Sequence, residues 1–138
     1  RNFEFEHDEK FTKSKNWKWL KLSREAKWKS LQKAINSNVQ IALGTDAGFM
    51  LPHGSMNYRE MEYMIQGGMS NMQAIKAATQ FGGKLLELNV GTIEVGQRAD
   101  ILIVKGNPLK DIKVLSNREN IKIFKDGKKF DKYSFLSN

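Results

Sequence analysis

Apolar residues recur at one spacing in the first third of the chain, at a second in the middle and at a third near the end, and each spacing predicts a different element. From Ser14 to Asn36, Trp17, Leu20, Trp28, Leu31 and Ile35 follow helical spacing, with Arg24 interrupting the stripe and lysines filling the remaining positions. The pattern predicts an amphipathic helix, whole or broken near Ser23, packed on the outside of a larger body. Asn36-Ser37-Asn38 ends it, because Asn tolerates the left-handed conformation that stops helices. Upstream, residues 1–13 alternate briefly at Phe3, Phe5 and His7, which suits a short exposed strand or a disordered end. Ile41-Ala42-Leu43, closed by Gly44 and Gly48, reads as a strand buried on both faces, the kind found in parallel sheets.

Past a loop marked by Pro52 and Gly54, helical grammar returns. Asn57 can cap a helix that Glu60 answers and Gly67 stops in the left-handed conformation, its apolar side running through Met61, Met64 and Ile65. The methionines of this stretch read as adaptable core packing. Ser70 with Gln73 forms the signature of a capping box for a second helix, expected to turn Met72, Ile75 and Ala78 or Thr79 inward. Gly82-Gly83 then predicts a break or a close approach, since each glycine costs about 1 kcal/mol in a helix interior. Near Asn89 the texture becomes β. Gly91–Gly96 and Ala99–Val104 read as two strands joined at Gly96, the second nearly all apolar and buried. Asp111–Leu115 is a brief turn or helix. Asp126-Gly127 signals a type I′ hairpin between Ile121–Lys125 and Lys128–Phe130.

Composition narrows the function classes. The 138 residues suffice for one ordinary domain and fall short of the ~250 of a complete (β/α)8 barrel. There is no cysteine, so disulfides, thiolate metal sites and cysteine nucleophiles are excluded. No uncharged apolar run approaches the ~20 residues that cross a bilayer. The net charge of +8 and pI near 9.7 invite a basic binding domain for nucleic acid or an acidic partner. Lysines spread through the chain among carboxylates, without a nucleic-acid motif, instead suit a solvated surface. A basic face with tryptophans could meet a membrane, but the position of the Trp17 helix just ahead of the strand favours packing. Neither nucleic acid nor a membrane is expected as a partner.

The candidate chemistry sits at Asp46, at the carboxyl end of the predicted strand, where parallel sheets gather their ligands. Gly44, Ala47 and Gly48 leave room beside it. An Asp after a strand is equally often a cap or turn residue, and spacing alone leaves the two readings level. His53 follows seven residues later and could share a pocket with Asp46 or simply face solvent. His7 has no second histidine at a ligand spacing.

An ordered series of short motifs tips the balance. Gly44-Thr45-Asp46-Ala47-Gly48, Pro52-His53-Gly54, Asn57, Glu60, Gly67-Gly68-Met69, Ala74-Ile75, Ala77-Ala78-Thr79 and Leu85-Leu86 come first. Gly91-Thr92-Ile93, Gly96, Ala99-Asp100, Gly106-Asn107-Pro108-Leu109, Asp111-Ile112 and Asp126-Gly127 follow. From about Val39 to Lys129 the series resembles the closing part of a metal-dependent amidohydrolase, of the branch that includes imidazolonepropionase and prolidase-like enzymes.

That resemblance implies an α/β fold: the last part of a (β/α)8 TIM barrel over residues 1–88, followed over 89–138 by strands of a small composite β-sandwich. It implies hydrolysis of an amide or cyclic amide by metal-activated water, with Asp46 as proton acceptor and metal ligand and His53 beside the substrate. The cofactor implied is a divalent metal of the zinc type, its other ligands lying mostly in a missing amino-terminal part. The partners implied are a small-molecule amide substrate and that missing part, and a homo-oligomer is compatible with it. This stretch alone is expected to be inactive, and localisation is not readable from it.

Overall fold

A computed structural model describes residues 12–13, 15–47 and 57–130. The expectations for Phe3, Phe5, His7 and the loop carrying Pro52, His53 and Gly54 lie outside the described residues. Two compact units divide between Val39 and Gln40.

In the first unit, Lys15–Asn36 is one unbroken helix, α1. Ser23 does not interrupt it. Along the predicted apolar stripe Trp17 is buried, while Trp28, Leu31 and Ile35 are half-buried. Lys21 Nζ lies 5.3 Å from the centroid of the Trp17 ring, within range of a cation–π attraction. At the carboxyl end Asn38 takes φ 54°, its N–H donates to Ile35 O, and Val39 N–H reaches back to Ala34 O. This is the Schellman ending, which satisfies carbonyls that the helix itself leaves unpaired.

The second unit begins with residues 40–47. No strand ladder forms over Ile41–Leu43 among the described residues, and their side chains are half-buried. The doubly buried strand expected there is therefore not seen. A parallel strand exists only by pairing, and the one backbone hydrogen bond found here goes to a helix, from Leu43 N–H to Ala77 O at 2.9 Å.

Three helices follow, α2 (Asn57–Gln66), α3 (Asn71–Ala78) and α4 (Gln80–Leu85). α2 has the predicted bounds, but its left-handed stop falls on Gly68 (φ 112°), one residue later than expected. Met69 N–H bonds to Met64 O across that turn and both methionine side chains are buried, so the apolar contact typical of this ending is present. The capping box at the start of α3 is complete. Gln73 N–H donates to Ser70 Oγ at 3.2 Å, and Ser70 N–H donates to Gln73 Oε1 at 2.7 Å. The inward face of α3 differs from the expectation: Ala74 and Ala77 are buried, whereas Met72, Ala78 and Thr79 are exposed. Small side chains won that face because α2, α4 and the backbone of Leu43 all come up to α3.

Gly82 and Gly83 lie inside a continuous α4, so the close approach holds rather than the break. A Cβ on Gly83 would collide with the Val90 carbonyl as the chain folds back from α4, whereas one on Gly82 would meet only Ala77 O at 3.8 Å. α4 ends with Glu87 at φ 55° in a third Schellman turn, in which Leu88 N–H donates to Gly83 O.

The sheet is antiparallel in the order β1 (Ile101–Val104), β2 (Ile121–Lys125), β3 (Lys128–Lys129). Ile101 pairs with Phe124 and Val104 with Ile121. Asp126 and Gly127 both have positive φ, 50° and 74°, as a type I′ turn requires. Between β1 and β2 lie two 3-10 turns, Ile112–Ser116 and Arg118–Asn120. Asp111 caps the first by accepting from Lys113 N–H, and buried Ile112 anchors it where it packs on α2. Gly91–Gly96 is not a strand: it turns back at Gly96, Gln97 N–H bonding to Glu94 O, and leaves Ile93 85% exposed. β1 is not paired on that side among the described residues, and alternation without a partner does not make a ladder. β1 is also less covered than a nearly all-apolar strand suggests, Leu102 and Ile103 both being exposed.

The two adjacent glycines separate packing from propensity. Gly83→Ala is expected to lower the unfolding free energy by about 1–3 kcal/mol through overpacking, and Gly82→Ala to raise it by about 1 kcal/mol. Urea unfolding of the two variants checks this; equal effects would mean that Val90 does not pack on Gly83.

Candidate active site around Asp46

Asp46 owes its placement to the helices beside it. Ala77 belongs to the last turn of α3, so its carbonyl is among those with no donor within their own helix. Leu43 N–H takes that carbonyl. Lys84 Nζ of α4 donates to Gln40 Oε1 at 2.8 Å, a second tie at the start of the segment. Three residues past Leu43, Asp46 turns through φ 51°, a conformation that Asp tolerates better than most residues with a Cβ. Thr45 Oγ1 accepts from Ala47 N–H at 3.3 Å across this turn.

The Asp46 residue is exposed, and no described residue donates a hydrogen bond to its carboxylate or pairs with it. Among the described residues it caps nothing. Among the described residues no three His, Cys, Asp or Glu side chains gather closely enough to hold a metal ion. Asp46 therefore fits as one oxygen donor, and the described residues do not supply a complete ligand set. His53 lies outside them.

Another carboxylate, Asp100, shows what structural duty looks like. Asp100 accepts from Lys125 Nζ at 2.6 Å, from Asp126 N–H at 3.0 Å and from Arg98 Nε at 3.0 Å. Lys125 above all, then the Asp126 amide and Arg98, lowers its pKa to about 2. Asp100 thus satisfies donors at the hairpin. Glu60, half-buried on α2, has its pKa raised by burial. An open cleft lies between α2, the start of α3 and the first 3-10 turn, lined by Glu62, Gln66, Asn71, Lys110, Asp111 and Lys113 among others. Sequence reasoning passed over it because its walls come from three separated segments with no shared motif. It does not include Asp46.

The sequence profile of the Amidohydrolase family matches residues 13–129. The chain belongs to that family. Members of the amidohydrolase family generally use divalent metals. Ochratoxinase of Aspergillus niger is 34% identical over 121 residues, 83% of this amidohydrolase chain and 24% of that protein. The crystal structure of A. niger ochratoxinase superimposes with a TM-score of 0.76 at 32% identity, covering 88% of this chain and 29% of the other. A Xaa-Pro dipeptidase with methionine bound in its active site matches with a TM-score of 0.64 at 42% identity, over 75% of this chain and 25% of that one. The amidohydrolase chain thus spans about a quarter of the length of the curated relatives it matches. Its helices and sheet fit the α/β fold of these neighbours. No helix among its described residues is long and apolar enough to cross a membrane.

Asp100 gives this region a pH signature. A carboxylate whose folded pKa is depressed contributes stability that is whole above its unfolded pKa of 3.8 and is lost as pH falls through about 2. The gap in unfolding free energy between the parent chain and Asp100→Asn is expected to be full at pH 5 and nearly closed at pH 2. Denaturant titrations across that window measure it, and a gap independent of pH would refute the role given to Asp100.

Proposed function

We propose that this chain is the carboxyl-terminal part of a hydrolase that cleaves the amide bond of a small molecule, with Asp46 handling the proton. The observation that carries the reading is the exposed carboxylate of Asp46, engaged by no described residue and held at a tight turn within a chain of the amidohydrolase family. In this reading Asp46 accepts a proton from the attacking water as the new carbon–oxygen bond forms. It then returns that proton to the departing nitrogen as the carbon–nitrogen bond breaks. A divalent metal of the zinc type, held partly by Asp46, would lower the pKa of its bound water toward ~7 and polarise the carbonyl. Its other ligands would come from chain beyond the described residues. His53 is proposed to donate a hydrogen bond to the substrate. Residues 1–88 would complete a (β/α)8 barrel and 89–138 a β-sandwich. The likeness to a Xaa-Pro dipeptidase supports a peptide-type amide over the cyclic amide of an imidazolone.

Asp46→Asn in the complete protein removes the proton acceptor at nearly constant size. Its kcat is expected to fall by about 10²–10⁴-fold with folding unchanged. An unchanged kcat would assign the proton transfer elsewhere. The 138-residue chain alone is expected neither to bind zinc tightly nor to turn over an amide; isothermal titration and an amidase assay test both, and tight binding with turnover would contradict the reading.

A further inference from the structure

The inward stripe of α1 leaves an opposite face, and that face has its own chemistry. At 3.6 residues per turn, Trp19, Leu22 and Ala26 lie roughly opposite Trp17, Trp28 and Ile35. Trp19 is 68% and Leu22 67% exposed, and Ala26 is exposed beside them. Lys29 and Lys33 stand on the same face, with Lys18 at its margin, and all three are exposed. The single acid of the helix, Glu25, lies beyond Lys18, toward the Trp17 side.

We propose that this face of α1 docks on a bilayer surface bearing anionic headgroups. Charge complementarity names the occupant: the face carries only cations, and anionic leaflets attract lysines near their surface. The apolar part selects a bilayer over a nucleic acid or an acidic protein surface. A tryptophan beside a leucine, one helical turn apart and ringed by lysines, suits the headgroup boundary, whereas phosphate contacts to nucleic acid need the cations alone. The helix would lie on the surface and not across it, since its lysines exclude a span. The expectation of no membrane partner rests on the position of the Trp17 helix just ahead of the predicted strand; Trp19 and Leu22 lie on the face opposite Trp17.

The test is flotation of the 138-residue chain with vesicles of phosphatidylcholine alone and of phosphatidylcholine with a third phosphatidylserine, at about 0.15 M salt. Bound protein rises with the vesicles and aggregated protein does not. Binding is expected to the anionic vesicles only. Trp19→Ala with Leu22→Ser is expected to weaken it by about tenfold or more, and Lys18→Gln, Lys29→Gln and Lys33→Gln together by about a hundredfold. All five positions are exposed, and circular dichroism verifies that the helix persists. The proposal is overturned if the chain does not float with anionic vesicles. It is also overturned if the Trp19/Leu22 variant binds them as the parent does, or if duplex DNA competes equally for both, which would mark a general polyanion surface.

Discussion

One hydrogen bond organises the region on which the functional reading rests: Leu43 N–H to the carbonyl of Ala77. It is available because α3 stops at Ala78 and the chain bends at Thr79 (φ −126°, ψ −86°) before α4 begins, leaving the last carbonyls of α3 in search of donors. It is within reach because Ala74 and Ala77 have methyl side chains, so another backbone can come close to the helix. Asp46 inherits its position from that contact. A bulkier residue at 77 would push residues 40–47 outward and move the carboxylate, although position 77 is far from Asp46 in sequence.

Around this contact the fold relies on close backbone approaches more than on bulk. Among the described residues of the second unit the buried hydrophobic ones are three methionines, two alanines and one isoleucine, and a single added methyl at Gly83 meets backbone. Three Schellman turns, at Asn38, Gly68 and Glu87, end α1, α2 and α4 and return carbonyls to donors that solvent would otherwise provide. The hairpin is fastened separately, through Asp100, which gathers Lys125, Arg98 and the Asp126 amide at one point. Leu102 and Ile123, cross-strand neighbours on one sheet face, stay exposed.

Much of this was legible in the sequence wherever a short-range rule decides the outcome. Asn57–Gln66, the Ser70–Gln73 box, the Asn38 stop and the Asp126-Gly127 turn are each set by residues within a few positions of one another. Where distant chain decides, local reading fell short. Ala74 and Ala77 face inward in place of Met72 because of what packs on α3, and Ile41–Leu43 and Gly91–Gly96 carry strand patterns without strand partners among the described residues. Glu87 at a left-handed stop gave no signal, since neither Gly nor Asn marks it. Asp46 could be singled out from its motif, but its positive φ could not.

The most direct check on the account is the exchange rate of the Leu43 amide proton, followed by NMR in the native 138-residue chain. The hydrogen bond to Ala77 predicts protection clearly above that of the adjacent Ala42 and Gly44 amides. Exchange at the rate of an unfolded chain would contradict it, and the anchored placement of Asp46 would fall with it.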